Sequence, residues 1–441
     1  MKAQDDVMTP SRRFGTVHVD HTFTVPLDHE RPDGHQIRVY AREIRATEQT
    51  DRDLPWLLFL GGGPGSAAPR LSGGEGWLNR ALQDYRVLVL DQRGTGRSTP
   101  VDRRLLDQIR DPGAQARYLS HFRADAIVRD AELIRRTLAG DRPWSVLGQS
   151  FGGLCTTTYL SIAPHGLAEA FITGGLPGVC ATAEQVYHAL YPKVIDKSAE
   201  HYDRFPHDVD QARTVVRYLR DHRVTLPSGR LLTVEAFQSL GNVLGGTDGS
   251  CRLHHLLEDP FAGGTEPSDA FLSQADRELA DIAGGPLYYL LHEATYAQGP
   301  GATDWSAHRV RDEFPAFDAA AALDSDAPIT FTGEMIYPWM FDTDPMLQPF
   351  RQAAHLIAER PHWPALYDVD RLRRNTVPVV AAIYHDDMYL DRDLSLSTAQ
   401  VIQGLKPWIT AEYQHDGLRV SNGTVLERLL ALMNADDHER V

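Results

Sequence analysis

The stretch Leu147-Gly148-Gln149-Ser150-Phe151-Gly152-Gly153 sets a serine between glycines. An apolar run, residues 144–147, leads into it, and a second apolar stretch, residues 153–162, follows. A serine hydroxyl is a weak nucleophile at neutral pH. It needs a base to take its proton and donors to hold a developing oxyanion. A sharp bend between a strand and a helix serves both needs. Small neighbours let the backbone turn, and the first N–H groups of the helix face the reacting centre. A second glycine run, Gly61-Gly62-Gly63-Pro64-Gly65, directly follows the apolar run at 56–60. Glycines there can turn a backbone N–H toward the same centre. The N–H groups of Gly62 and Phe151 are the expected oxyanion donors, with Gly63 as the alternative to Gly62. A phosphate-binding loop would end in GK[ST], and this run does not.

The serine's partners are expected later in the chain, in the order acid, then histidine. With 19 histidines, position must choose. A late apolar run, VPVVAAIY at 377–384, is followed by His385-Asp386-Asp387-Met388. A further run at 408–413 is followed by Gln414-His415-Asp416-Gly417. The expected triad is Ser150, Asp387 and His415. His415 takes the serine proton, and Asp387 holds its tautomer and stabilises the imidazolium. Asp386 is the rival for the acid. His385 is expected to be a polar loop residue. No metal site is expected from 385–387, because consecutive residues of an extended loop point in different directions.

Such residues need a rigid frame. Residues 14–45 alternate apolar and polar positions about a Pro32-Asp33-Gly34 turn, the pattern of paired antiparallel strands. The runs at 56–60, 85–90, 144–147, 170–173, 377–384 and 408–413 are apolar nearly throughout. That is the signature of parallel strands covered on both faces. Helical spacing separates them, as in Ile127, Ala131, Ile134 and Leu138 before Gly140. The fold class is therefore α/β, a mostly parallel central sheet flanked by helices. Residues 183–355 show helical spacing and no convincing strand. They are expected to form an inserted helical cap between two parts of the core, 1–182 and 356–441. An insertion there would lie over the sheet edge where ligands bind.

The chain has 441 residues and a formal net charge of −16. That balance argues against nucleic acid or an anionic membrane surface as partner. Three widely spaced cysteines without a CxxC pair argue against a disulfide framework or a zinc knuckle. Residues 1–15 carry no apolar core of a secretory signal, and no run is long enough to span a bilayer. A cytoplasmic location is expected.

Several segments together resemble the α/β-hydrolases, and within them the longer bacterial branch of the prolyl aminopeptidases (proline iminopeptidases). They are GGGPG at 61–65, DQRGTGRS at 91–98, FRADAIVRDAE at 122–132, GQSFGG at 148–153 and TGGLPG at 173–178. GEMIYPWMF at 333–341, YHDDMYLD at 384–391 and EYQHDGLR at 412–419 continue the series, with HEATYA at 292–297. The resemblance runs through nearly the whole chain. It implies release of an N-terminal residue, typically proline, from peptides with a free N-terminus, without metal or organic cofactor. It selects Asp387 over Asp386 as the acid. It also implies that two cap glutamates, Glu334 and Glu293, receive the substrate α-ammonium, since a buried cation needs a paired anion. Tyr337 and Trp339 would wall a pyrrolidine ring. One departure is Gly61, where many relatives carry histidine or glutamine. DQRGTGRS is widespread among relatives and carries little substrate information. An esterase or amidase for another small acyl group is the alternative on this fold. A non-catalytic binding protein is disfavoured because all three triad members are present. Oligomeric state is not legible from the residues.

Overall fold

The computed structural model describes residues 4–71, 73–281 and 285–435. Its frame is a ten-stranded sheet. The strands are β1 (Gln4–Val7), β2 (Ser11–Arg13), β3 (Thr16–Pro26), β4 (Gln36–Ala46), β5 (Trp56–Leu60) and β6 (Arg86–Asp91). There follow β7 (Trp144–Gln149), β8 (Leu167–Thr173), a small separate pair β9 (Gly299–Pro300) and β10 (His362–Trp363), then β11 (Val379–Tyr384) and β12 (Leu405–Thr410). The order across the large sheet is β1-β3-β4-β6-β5-β7-β8-β11-β12, with β2 on the side of β3. From β6 to β12 every neighbour pair is parallel. The long β3–β4 pair is antiparallel and joins β6 in the same sense. This is the expected mostly parallel α/β sheet.

Burial explains the apolar runs. Every residue of β5 and of β11 is buried. On one face Leu58, Val146, Ile172 and Ala381 pack with Ile127, Ala131 and Ile134 of the helix Ala124–Leu138, and with Leu154 and Tyr159 of the helix Phe151–Ile162. On the other, Leu57, Val87, Leu147, Phe171 and Val380 pack with Trp77, Leu78, Val425, Leu426 and Leu429. Transfer of such side chains from water contributes about 1.5–3 kcal/mol each.

Between β8 and β11 the described residues form helices joined by irregular stretches, together with β9 and β10. The helices include Ala183–Arg204, Asp208–Asp221, Gly249–Leu257, Asp269–Asp281 and Pro286–Leu291. They share a core of their own, built around Tyr187, Tyr191, Phe237, Phe331 and Phe341. The helical spacing that the sequence shows over 268–283 corresponds to the helix Asp269–Asp281, and residues 282–283 lie outside the described ones. The strand expected at 408–413 lies instead at 405–410. It is the sheet edge, its burial alternates, and an edge strand shows no continuous apolar run. Among the described residues no helix is long and apolar enough to cross a membrane.

Candidate active site

Ser150 stands where β7 ends and the helix Phe151–Ile162 begins, with φ 55° and ψ −127°. A side-chain-bearing residue occupies such a backbone region only when its surroundings hold it there. Two hydrogen bonds do so: the Ser150 N–H donates to the Thr173 carbonyl (3.1 Å), and the Ser150 carbonyl accepts from the Gly153 N–H (2.7 Å). The flanking glycines are required by contact. A Cβ on Gly148 would lie 2.3 Å from Thr156 Oγ1, one on Gly152 would lie 1.9 Å from the Leu60 carbonyl oxygen, and one on Gly153 would lie 2.4 Å from that of Gly175. The helix is thus pressed against the end of β5 and the loop after β8. That closeness aims Ser150 outward at the C-terminal edge of the sheet.

The loops after β11 and β12 bring two further side chains to it. His415 Nε2 lies 2.9 Å from Ser150 Oγ, and His415 Nδ1 lies 2.7 Å from Asp387 Oδ2. The other oxygen of Asp387 accepts the backbone N–H groups of Tyr389 (2.8 Å) and Leu390 (3.2 Å), which locks the carboxylate. The Tyr389 ring meets the imidazole edge-on at 4.7 Å. Burial works against a charged imidazole, but the Asp387 carboxylate and its hydrogen bond prevail, and His415 is held above the ordinary histidine value. Asp386 points elsewhere: it pairs with His385 Nδ1 at 2.7 Å on the surface.

Gly62 lies directly across from the serine. A Cβ built on it would be 3.2 Å from Ser150 Cβ and 3.5 Å from Oγ. Gly63 turns into its own loop, its Cβ direction meeting the N–H groups of Gly65 and Ser66 at 3.0 and 3.1 Å. Phe151 heads its helix, so its N–H has no partner within it.

Ser150, His415, Gly62 and Glu334 line one cleft of about 820 Å³, together with Gln149, Asn242, Tyr288 and Tyr389. Glu334 is one of three carboxylates that line the cleft, the others being Glu75 and Asp416. The Glu334 Oε1 accepts the Tyr288 hydroxyl hydrogen at 2.7 Å. Burial pushes the Glu334 pKa up to about 7, against the opposing pull of His415 and of that hydrogen bond.

A family model described as the alpha/beta hydrolase fold matches residues 55–253. A proline iminopeptidase of Aeromonas sobria is 48% identical over 93% of this chain and 95% of its own. The chain belongs to the proline iminopeptidase family. A second relative, proline iminopeptidase aneH of Aspergillus aculeatus, is 36% identical over 93% of this chain and 92% of its own.

For this member of the proline iminopeptidase family, three expected substrate contacts need correction. Glu293 does not reach the cleft. It is 8% exposed, and its Oε1 accepts the Ala307 N–H (2.8 Å) at the start of the helix Ser306–Arg311. That bond, and its absence from the cleft lining, make it an acceptor for a helix start rather than a wall of the cleft; burial pushes its pKa too up to about 7. Tyr337 is buried in the helical core, its hydroxyl 3.0 Å from that of Tyr191. Trp339 stacks on Tyr337 at 5.7 Å and faces the small void behind Glu334, not the cleft. Both were expected from a motif that mixes one cleft residue with its packing partners. The sequence alone does not single out Tyr288 or Tyr389. Tyr389 lies two residues beyond Asp387, where the turn that holds the acid must supply N–H groups, and that spacing could have found it. Tyr288 carries no local signal, because its role depends on meeting Glu334, 46 residues away. Among the described residues no group of three or more His, Cys, Asp or Glu side chains is placed to hold a metal ion.

Proposed function

We propose that this protein is a serine aminopeptidase that releases N-terminal proline from peptides through an acyl-enzyme. The observation that carries the reading is the presence of Glu334 in the same cleft as the Ser150–His415–Asp387 array. A hydrolase for neutral esters has no use for a desolvated carboxylate there. A peptide N-terminus does, because its ammonium must be paired once it leaves water. The names of the two relatives point to the same substrate.

In this reading Glu334 takes the ammonium and sets the scissile carbonyl over Ser150. His415 Nε2 removes the Ser150 proton as Oγ attacks, and the N–H groups of Gly62 and Phe151 hold the oxyanion. His415 then gives that proton to the leaving amine, and the peptide departs one residue shorter. Water, deprotonated by His415, attacks the prolyl ester, and Ser150 recovers its proton as proline leaves. Residues 183–355 act as the cap that supplies Glu334, and 1–182 with 356–441 as the catalytic core. A reducing cytoplasm is the proposed compartment, supported by the three unpaired cysteines.

The test compares chromogenic amides of proline, alanine and N-blocked proline, alongside Ser150→Ala. Free-amine proline substrate should be cleaved fastest, and Ser150→Ala should be inactive. Cleavage of the blocked amide as fast as the free one would move the protein to the esterase or amidase alternative. Activity surviving in Ser150→Ala would remove the mechanism altogether.

A further inference from the structure

The DQRGTGRS segment is absorbed by neither the triad nor the substrate carboxylate, yet its second residue is buried and reaches the oxyanion loop. Gln92 follows β6 and is 2% exposed. Its Nε2 donates to the Gly61 carbonyl oxygen at 3.2 Å, while its Oε1 is buried without a partner. A buried amide with one end unpaired is poorly explained by stability, since an unmet acceptor costs more than a met one returns. Its neighbours hold it rigidly. The Asp91 carboxylate accepts from the N–H groups of Ala68 (3.0 Å) and Arg97 (2.8 Å), and Arg93 is ion-paired to Asp130 within the core.

What this bond controls follows from peptide geometry. The Gly61–Gly62 bond is trans, so the Gly61 carbonyl and the Gly62 N–H lie in one plane and point in opposite directions. Gly61, Gly62 and Gly63 carry no side chains that could set the rotation of that plane, and glycine backbone turns freely. Among the described residues nothing accepts the Gly62 N–H, so nothing holds the plane from the serine side. The bond from Gln92 fixes it from behind. With Gly61 oxygen pulled toward Gln92, the Gly62 N–H is committed to the opposite side, and Gly62 is the residue that abuts Ser150. Rotated the other way, the same plane would aim a carbonyl oxygen at the oxyanion.

We propose that Gln92 is a positioning residue for the reaction: its side-chain amide, bonded to the Gly61 carbonyl, keeps the Gly62 N–H turned toward the oxyanion position. The inference rests on the acyl-transfer reading of Ser150. Gln92 touches no reacting atom, so its removal acts on the transition state and leaves ground-state binding of the ammonium alone.

The test uses the full chain with Gln92→Met, which keeps length and removes the donor, and Gln92→Leu, which removes both polar atoms at similar volume. Rates are counted per site titrated with a fluorophosphonate, so misfolded molecules drop out. Deleting an oxyanion donor outright lowers kcat by about 10²–10³-fold; loss of its orientation should lower kcat by roughly 10–100-fold. KM for a prolyl anilide and inhibition by free proline should stay within about twofold. The Ki of a prolyl boronate, whose tetrahedral adduct on Ser150 needs the same N–H groups, should rise by the factor that kcat falls. Either variant keeping kcat within twofold overturns the proposal, as does a fall in kcat without the matching loss of boronate affinity. Wild-type protein serves as the reference. If a fluorophosphonate fails to label Ser150 there, the acyl-transfer reading falls and this inference with it. Labelled wild type beside unaffected variants removes only the role of Gln92.

Discussion

Replacing Glu334 by Gln separates the recognition of the substrate from its chemistry. The side chain keeps its size, and its oxygen can still accept the Tyr288 hydroxyl hydrogen, but the charge that would meet an ammonium is gone. A hydrogen bond to a charged partner contributes about 1.5–3 kcal/mol, which is roughly a 10- to 150-fold loss in kcat/KM for free-amine substrates. The pH profile sharpens the expectation. Burial holds the Glu334 pKa up to about 7, so below that pH the free enzyme carries a growing fraction of protonated, non-binding Glu334. Through Glu334 alone, kcat/KM for a free-amine substrate should therefore fall about tenfold per unit as pH drops below about 7. His415 contributes its own acid limb for every substrate, since its imidazole must be neutral to take the serine proton. Asp387 and Glu334 both help to raise its pKa. Gln at position 334 removes one of those charges, so the acid limb for a small neutral ester should move to lower pH while its rate at pH 8 stays within about twofold. Stopped-time assays of a prolyl anilide and an uncharged nitrophenyl ester from pH 5 to 9 read both effects. Equal losses on the two substrates, or an ester profile that does not move, would refute the pairing of Glu334 with the ammonium and its coupling to His415.

Asp387→Asn should lower kcat by about 10⁴-fold, because the imidazole loses the anion that holds its tautomer, whereas Asp386→Asn should stay within about twofold. Steady-state rates on one prolyl substrate compare the two. Glu293→Ala should leave KM within about twofold and instead lower stability by about 1 kcal/mol, read from the urea midpoint, because it removes the acceptor for the Ala307 N–H. Gly152→Ala should destabilise by about 1–3 kcal/mol or more in the same titration, since the new methyl would overlap the Leu60 carbonyl.

What the residues disclosed without coordinates was whatever short-range sterics determines. Gly148, Gly152 and Gly153 announce the bend at Ser150 because each excludes a Cβ through a contact that recurs wherever a helix is pressed on a strand in this way. Apolar runs disclosed β5 and β11 because both their faces are covered, and the same criterion misplaced β12, which lies at the edge. The single-residue choice between Asp386 and Asp387 is decided by a turn in which the Tyr389 and Leu390 N–H groups converge on one carboxylate. The substrate side was less legible for a physical reason. Glu334, Tyr337 and Trp339 lie in the irregular stretch between the helices Ala319–Asp324 and Met340–Thr343, and Glu293 in the short turn Glu293–Thr295; the packing there joins residues tens of positions apart. An irregular stretch has no period from which to read which side chain meets a cleft. Two glutamates whose pKa values are both raised by burial thus have different surroundings, one at the cleft and one at a helix end.

The helical segment is fastened to the base as well as lying above it. The His415 N–H donates to the Gly245 carbonyl (3.2 Å), the Tyr389 hydroxyl donates to the Asn242 carbonyl, and Gly245 lies so close to the Tyr389 ring that a Cβ would sit 2.2 Å from it. A covering layer tied at these points is not an interchangeable attachment. Grafting it onto another sheet of this kind, or exchanging it for a foreign one to obtain a new specificity, would leave the imidazole loop without its backbone acceptor and Tyr389 without its floor. A change that shifts the helical segment at these points therefore also shifts the loop that carries the imidazole.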